Sequence, residues 1–132
     1  KGLYRLSLNK NNLIGTIPPA FGQLSNLYDL DLSFNKLNGT IPPALGQIIY
    51  LGRLDLSSNK LKGTIPSALG KLKGLQYLFL DTNDLKGSMP TAICSLKGSD
   101  PEMSGLSTLT ADCKGPTPEV TCTCCTSCFM DP

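Results

Sequence analysis

Leu27-Tyr-Asp-Leu30-Asp-Leu32-Ser-Phe-Asn35-Lys-Leu37-Asn-Gly39-Thr-Ile41-Pro42-Pro-Ala-Leu45-Gly-Gln-Ile48-Ile-Tyr50 is one turn of a pattern that the chain repeats. The same frame of 24 residues starts at Leu3, Leu51 and Leu75, with no gap between copies. Self-similarity at such a period marks a solenoid with one coil per copy. No coil can bury its apolar edge alone, so stability comes from stacking on neighbours. Residues 1–98 therefore read as four repeats, at 3–26, 27–50, 51–74 and 75–98. Residues 99–132 read as an insertion, a last partial repeat and a cysteine-rich cap.

The aligned columns predict the local structure. Leu6/Leu30/Leu54/Leu78 and Leu8/Leu32/Leu56/Leu80 are two residues apart, the alternation of a strand with both leucines inward. Strands of successive coils should pair in parallel, roughly 4.8 Å apart. Asn11, Asn35, Asn59 and Asn83 stand where the chain leaves the strand. Their amides both donate and accept, and should satisfy the backbone of the turn and of the next coil. Gly15, Gly39, Gly63 and Gly87 mark a bend, and Pro18, Pro42, Pro66 and Pro90 hold the back of each coil extended. A short helical or irregular return then carries Phe21/Leu45/Leu69/Ile93 and Leu24/Ile48/Leu72/Leu96 into the core.

The segments Leu13–Pro18, Leu37–Pro42 and Leu61–Pro66 spell L-x-G-x-I-P, and Leu85-Lys-Gly-Ser-Met-Pro90 departs from it only at Met89. This wording resembles the plant-type leucine-rich repeat. The resemblance implies an α/β repeat fold: a right-handed curved solenoid with a concave parallel sheet and short 3-10 or irregular convex segments. It also implies a secreted or surface protein that recognises proteins, peptides or glycans. The tail from Ala111 to Phe129 is similar to the C-terminal caps of secreted leucine-rich repeat proteins in diatoms and related algae, which implies an algal source.

The pattern breaks after Gly98. Ser99–Gly105 is inserted, then Leu106-Ser-Thr-Leu109-Thr-Ala111-Asp-Cys113 reads as a final strand, with Lys114 in place of the ladder asparagine. All six cysteines, Cys94, Cys113, Cys122, Cys124, Cys125 and Cys128, lie in this last third. An even, clustered set predicts disulfides that staple a cap, and hence an oxidising compartment. The expected site is outside the cell or at its surface, with an organelle lumen such as the thylakoid lumen as the alternative. Cys94 replaces the glycine of earlier coils and should anchor the last full repeat to the tail, and Cys113 is expected to pair with Cys122. A thiolate metal site is disfavoured, because zinc sites use paired C-x2-C knuckles or histidines. The chain has no histidine. No metal or other cofactor is expected.

Composition excludes several functions. Twelve Lys and Arg against ten Asp and Glu give a net charge of +2, without a basic stripe for nucleic acid or a membrane patch. No apolar run approaches the ~20 residues that span a bilayer. The lack of histidine removes Ser–His and Cys–His dyads, and no Gly-rich phosphate loop is present. Asp29, Asp31 and Asp55 sit on what should be an open, solvated sheet face, unsuited to acid–base work. No catalysis is expected.

Binding is the expectation that remains. The outward strand columns are Arg5/Asp29/Arg53/Tyr77/Thr108, Ser7/Asp31/Asp55/Phe79/Thr110 and Asn9/Ser33/Ser57/Asp81/Asp112, flanked by Tyr4, Tyr28, Lys10 and Phe34. Candidate partner contacts are Arg5, Asp29, Asp31, Arg53, Asp55, Tyr77, Phe79 and Asp81. Tyr77 and Phe79 expose apolar area on one strand, beside Arg53, in the composition of an interface anchor; the alternative is packing beneath the insertion Ser99–Gly105. Five strands with three outward residues each fall short of the roughly 20–30 residues per side of a standard interface. The chain also begins two residues before a repeat, with nothing like an N-terminal cap, so its first coil should expose leucines. Processing, truncation or a covering partner would account for that edge. The expected role is a protein-binding or scaffold module within a larger extracellular or lumenal complex. A glycan- or peptide-sensing receptor ectodomain is one alternative. Ice binding through the column Thr16/Thr40/Thr64/Ser88 is the other, with Lys62 and Lys86 roughening the surface beside it. Asn38, in the sequon Asn38-Gly-Thr40, is a candidate for glycosylation.

Overall fold

A computed structural model describes residues 2–98 and 105–130. In chain order its strands are β1 Arg5–Ser7, β2 Ile14–Thr16, β3 Asp29–Asp31, β4 Lys36–Asn38, β5 Arg53–Asp55 and β6 Lys62–Thr64. They continue with β7 Tyr77–Phe79, β8 Asp84–Ser88, β9 Thr108–Lys114, β10 Val120–Thr121 and β11 Ser127–Met130. Strands β1-β3-β5-β7-β9-β11 form one parallel sheet on the concave side. Its register is set by leucine on leucine: Leu6, Leu30, Leu54, Leu78 and Leu109 pair in sequence. A one-residue slip would turn each leucine out to solvent, which is why the frame holds.

Behind the sheet, 3-10 turns at Pro19–Gln23, Pro43–Gln47 and Ser67–Lys71 return each coil, and α1 Thr91–Cys94 replaces them in the fourth. Proline sits at the start of these turns, where its fixed φ suits helical entry and a missing amide costs little. Leu30, Leu54, Leu78, Leu45, Leu69 and Ile93 are fully buried in one continuous core. At the first coil that core is open: Leu3 is 47% and Leu13 37% exposed, while Leu6, Leu8, Phe21 and Leu24 are partly buried.

The asparagine ladder reaches the preceding coil, a correction to the expectation that it serves the next one. Asn35 Nδ2 donates to the carbonyls of Leu8, Leu32 and Ser33, and its Oδ1 accepts from the Leu13 amide. Asn59 and Asn83 repeat this with Leu32 and Leu37, and with Leu56 and Leu61. The side chain is inside the turn, so it closes its own coil and the one before it together. Gly39, at φ 74°, stands in the left-handed region that a side chain disfavours. Gly46 has a different reason: a Cβ there would come within 2.3 Å of the Ala68 carbonyl oxygen of the next coil. Cys94 occupies the fourth place in that column, where the tail is the neighbour and a side chain fits.

The tail closes the solenoid by adding strands, which the five-strand expectation missed. β11 pairs with β9, and β10 pairs with β8 on the convex side. Cys94 bonds Cys124, joining the last full repeat to the tail. Cys113 bonds Cys128, and Cys122 bonds Cys125. The expected Cys113–Cys122 bond is therefore not formed: pairing of β11 with β9 sets Cys128, not Cys122, beside Cys113. Residues 99–104 of the insertion, and with them its packing against Tyr77 and Phe79, lie outside the described residues.

Candidate recognition surface

The outward residues of β3, β5 and β7 form an ordered polar network rather than an open field of charges. Arg53, held across the parallel register, places Nη1 3.2 Å from Asp29 Oδ1 and 3.1 Å from Asp31 Oδ2, and Nη2 2.8 Å from Asp55 Oδ2. Arg5 Nε lies 2.8 Å from the other oxygen of Asp29. The Ser33 and Ser57 hydroxyls and amides fold back onto Asp31 and Asp55. The three aspartates are consequently 7–8% exposed, which corrects the expectation of solvated carboxylates. A planar guanidinium with five donors can serve three carboxylates at once, and its stem shields them from water.

Their electrostatics diverge. Burial alone raises the Asp31 carboxyl, but hydrogen bonds from Ser33 and Arg53 outweigh it and hold the group below the usual carboxylate range. Asp55 is pushed up by its deeper burial, against the pull of Ser57, with the charge of Asp31 adding to the rise. Burial lowers the Arg53 guanidinium, and its bonds to Asp31 and Asp29 more than reverse that.

Phe79 is half-buried, with the Arg53 guanidinium 5.6 Å from its ring centroid. Tyr77 is 40% exposed on the same strand. Asp81 is tied to the Thr110 hydroxyl, and Asp112 is buried at the sheet end, accepting hydrogen bonds from Thr82 and Asn83. Of the predicted contact residues, Arg5 and Tyr77 present the most free surface, while Asp29, Asp31 and Asp55 act through Arg53. Asn38, Lys62 and Lys86 are exposed on the opposite side, and Lys86 lies 3.5 Å from Glu119. Cys113, Cys122 and Cys125 bring their sulfurs within 4.8 Å of one another, but each sulfur is committed to a disulfide and offers no thiolate.

A second surface lies at the rim where the chain enters the strands. The Tyr4 and Tyr28 rings stack with centroids 5.5 Å apart and planes 8° from parallel. Tyr28 in turn covers Gly52, whose Cβ would meet the ring at 2.3 Å. Ile49 and Tyr50 stand beside them, 57% and 63% exposed. Sequence reasoning singled out Tyr4 and Tyr28 but passed over Ile49 and Tyr50. The signal was available: Ile49-Tyr50 replaces the Ser25-Asn26 and Lys73-Gly74 of neighbouring coils.

Two leucine-rich repeat family models match the chain, one over residues 1–61 and one over 74–96. The chain belongs to the leucine-rich repeat family. No curated protein sequence matches it. Among solved structures it is similar to the plant peptide hormone receptor RGFR1 in complex with RGF2, at 38% identity and a TM-score of 0.75, over 82% of this chain and 16% of that one. It is also similar to a chain of the BIR3–SERK2 complex from Arabidopsis thaliana, at 36% identity and a TM-score of 0.69, over 88% and 60%. A plant ice-binding protein is 39% identical, with a TM-score of 0.63, over 67% and 28%. The chain thus spans less than two thirds of the length of each. These likenesses make it a plant-type leucine-rich repeat domain with a disulfide-bonded cap. No helix among the described residues is long and apolar enough to cross a membrane.

Proposed function

We propose that this leucine-rich repeat domain is a non-catalytic recognition module that takes a protein or peptide partner on its concave sheet, as part of a larger extracellular assembly. The carrying observation is Tyr77, exposed at an outward position of a central strand beside an Arg53 already held by three carboxylates. An exposed aromatic next to a guanidinium that loses little entropy on docking has the character of an interface anchor. The likeness to a peptide hormone receptor and to a co-receptor complex supports a protein or peptide partner. Three disulfides and likeness to receptor ectodomains support an extracellular site over the thylakoid lumen. The Asp31 and Asp55 carboxylates are committed to Arg53, Ser33 and Ser57, which supports a structural rather than an acid–base role for them. The small sheet supports weak binding by this domain alone.

The test is capture of extracellular proteins on the immobilised domain, compared across variants. A partner retained by the native domain and by Lys62→Ala/Lys86→Ala, but lost with Tyr77→Ser/Phe79→Ser, carries the proposal. A partner lost only with the lysine pair moves recognition to the convex side.

Ice binding is the second reading, raised by the likeness to a plant ice-binding protein. The back-sheet register opposes it: Thr16 pairs with Asn38, and Thr64 with Lys86, so threonines do not face one another across these coils. An ice-recrystallisation assay separates the two.

A further inference from the structure

The rim of tyrosines lines a groove of its own, separate from the Arg53 network. Tyr4, Asn26, Tyr28, Ile49, Tyr50 and Gln76 surround about 570 Å³ of space open to solvent. Four features of this lining specify a ligand. First, among the described residues no Lys, Arg, Asp or Glu lines the groove. A charged ligand would find no counter-ion there. Second, the three phenol hydroxyls and the two side-chain amides make no hydrogen bond to any described group of the protein. These groups both donate and accept, the capacity that a sugar hydroxyl also has. A proline-rich peptide offers acceptors almost alone and would use only half of it. Third, aromatic rings carry a negative face that attracts the polarised C–H bonds of a sugar ring. Fourth, the lining, with Gly74 between Tyr50 and Gln76, comes from four successive coils, so the groove runs roughly 14 Å along the solenoid axis, long enough for more than one sugar unit.

The geometry points to a binding site for a neutral oligosaccharide, with the exposed Tyr50 ring as the stacking surface, and the Tyr28 hydroxyl, Asn26 and Gln76 as the hydrogen-bonding groups. Gly52 is a positioning residue: its missing side chain is what allows the Tyr28 ring to lie down against the strand entry. This site is distinct from the concave anchor at Tyr77, and each can fail without the other.

The experiment uses the disulfide-bonded domain as it stands. The chain has four tyrosines and no tryptophan, and three of the four line the groove, so tyrosine fluorescence reports its occupancy. Oligomers of β-1,4-linked glucose and of N-acetylglucosamine serve as neutral probes, oligogalacturonate as the acidic probe and oligoproline as the peptide probe, each followed by fluorescence and calorimetry. The expected result is saturable binding of a neutral probe that salt does not weaken. Tyr50→Ala should weaken it by about fivefold or more, as truncating an aromatic anchor does. Gly52→Ala, which displaces Tyr28 without removing any lining group, should weaken it as well, and Tyr77→Ser should leave it unchanged. Saturation by neither neutral probe at about millimolar concentration overturns the site. So does preference for oligogalacturonate or oligoproline, or neutral binding that survives both groove substitutions in variants whose thermal unfolding is unaltered.

Discussion

The carboxylate of Asp112 accepts the amides of Thr82 and Asn83, at 2.7 and 2.9 Å, and so stands in for the main-chain carbonyls that the next coil supplies elsewhere. In the inner coils the same amides donate to main-chain carbonyls: Phe34 and Asn35 to Ser57 and Ser58, and Ser58 and Asn59 to Asp81 and Thr82. The strand that carries Asp112 leaves the repeat frame just where those carbonyls would fall. One side chain then satisfies two donors that would otherwise be stranded at the solenoid end.

Asp112→Ala should therefore be among the most destabilising substitutions in the cap. Asp112 is 2% exposed, and hydrogen bonds to a charged acceptor contribute about 1.5–3 kcal/mol. Urea unfolding should show a loss of about that size, with Asp112→Asn losing less because it keeps one acceptor. Equal stability of native and Asp112→Ala protein would contradict the capping role.

Thr82 has φ 57°, in a column with Lys10, Phe34 and Ser58 at 54–55°. A β-branched residue is the least suited of these to a left-handed backbone. Thr82→Gly should raise stability by roughly 0.5–1 kcal/mol, the relief of strain exceeding the greater freedom of the unfolded chain. The urea midpoint should rise with unchanged slope.

Acid should unfold the domain partly through Asp31. Its folded-state carboxyl lies below the ordinary value, so its contribution is complete above pH ~4–5 and is lost as pH falls through the lower folded value. Asp55 has the opposite sign: its raised carboxyl favours the protonated fold, and it loses stability as pH rises through that value. At neutral pH, Asp31→Asn should cost about 1–3 kcal/mol and Asp55→Asn less. The Asp31→Asn deficit should shrink below about pH 4. Chemical denaturation across pH checks both signs.

The Cys94–Cys124 bond closes a separation of 30 residues, and Cys122–Cys125 one of 3. Loop-closure entropy assigns about 3–4 kcal/mol to the first and about 2 to the second. Replacing Cys94 and Cys124 together by serine should lower stability more than replacing Cys122 and Cys125. Non-reducing peptide mapping should recover Cys113 linked to Cys128.

Leu78 lies between Tyr77 and Phe79 and is fully buried. Leu78→Ala should cost about 2–5 kcal/mol, whereas Tyr77→Ser should leave thermal stability nearly unaltered because its side chain faces away from the core. A large stability loss in Tyr77→Ser would mean that the aromatic is structural and not an anchor.

The repeat frame determined the solenoid because each leucine, asparagine and glycine acts locally and the same local solution recurs in every coil. Inward and outward residues and the turn could be read from one coil, and comparison of coils gave the anchoring role of Cys94, whereas the direction in which the ladder reaches could not be read. What the frame could not give is what crosses from coil to coil without repeating. The Arg53 network needs the lateral register, which turns three separately placed aspartates into one buried cluster. The tyrosine groove needs the rim to bring Tyr4, Tyr28 and Tyr50 together across coils. In the tail no repeat constrains the path, so the cysteine pairing follows from which strand adds to the sheet edge. Sequence alone thus determined the coil, and tertiary structure decided its ends and its surfaces, because those depend on contacts between residues that no local pattern links.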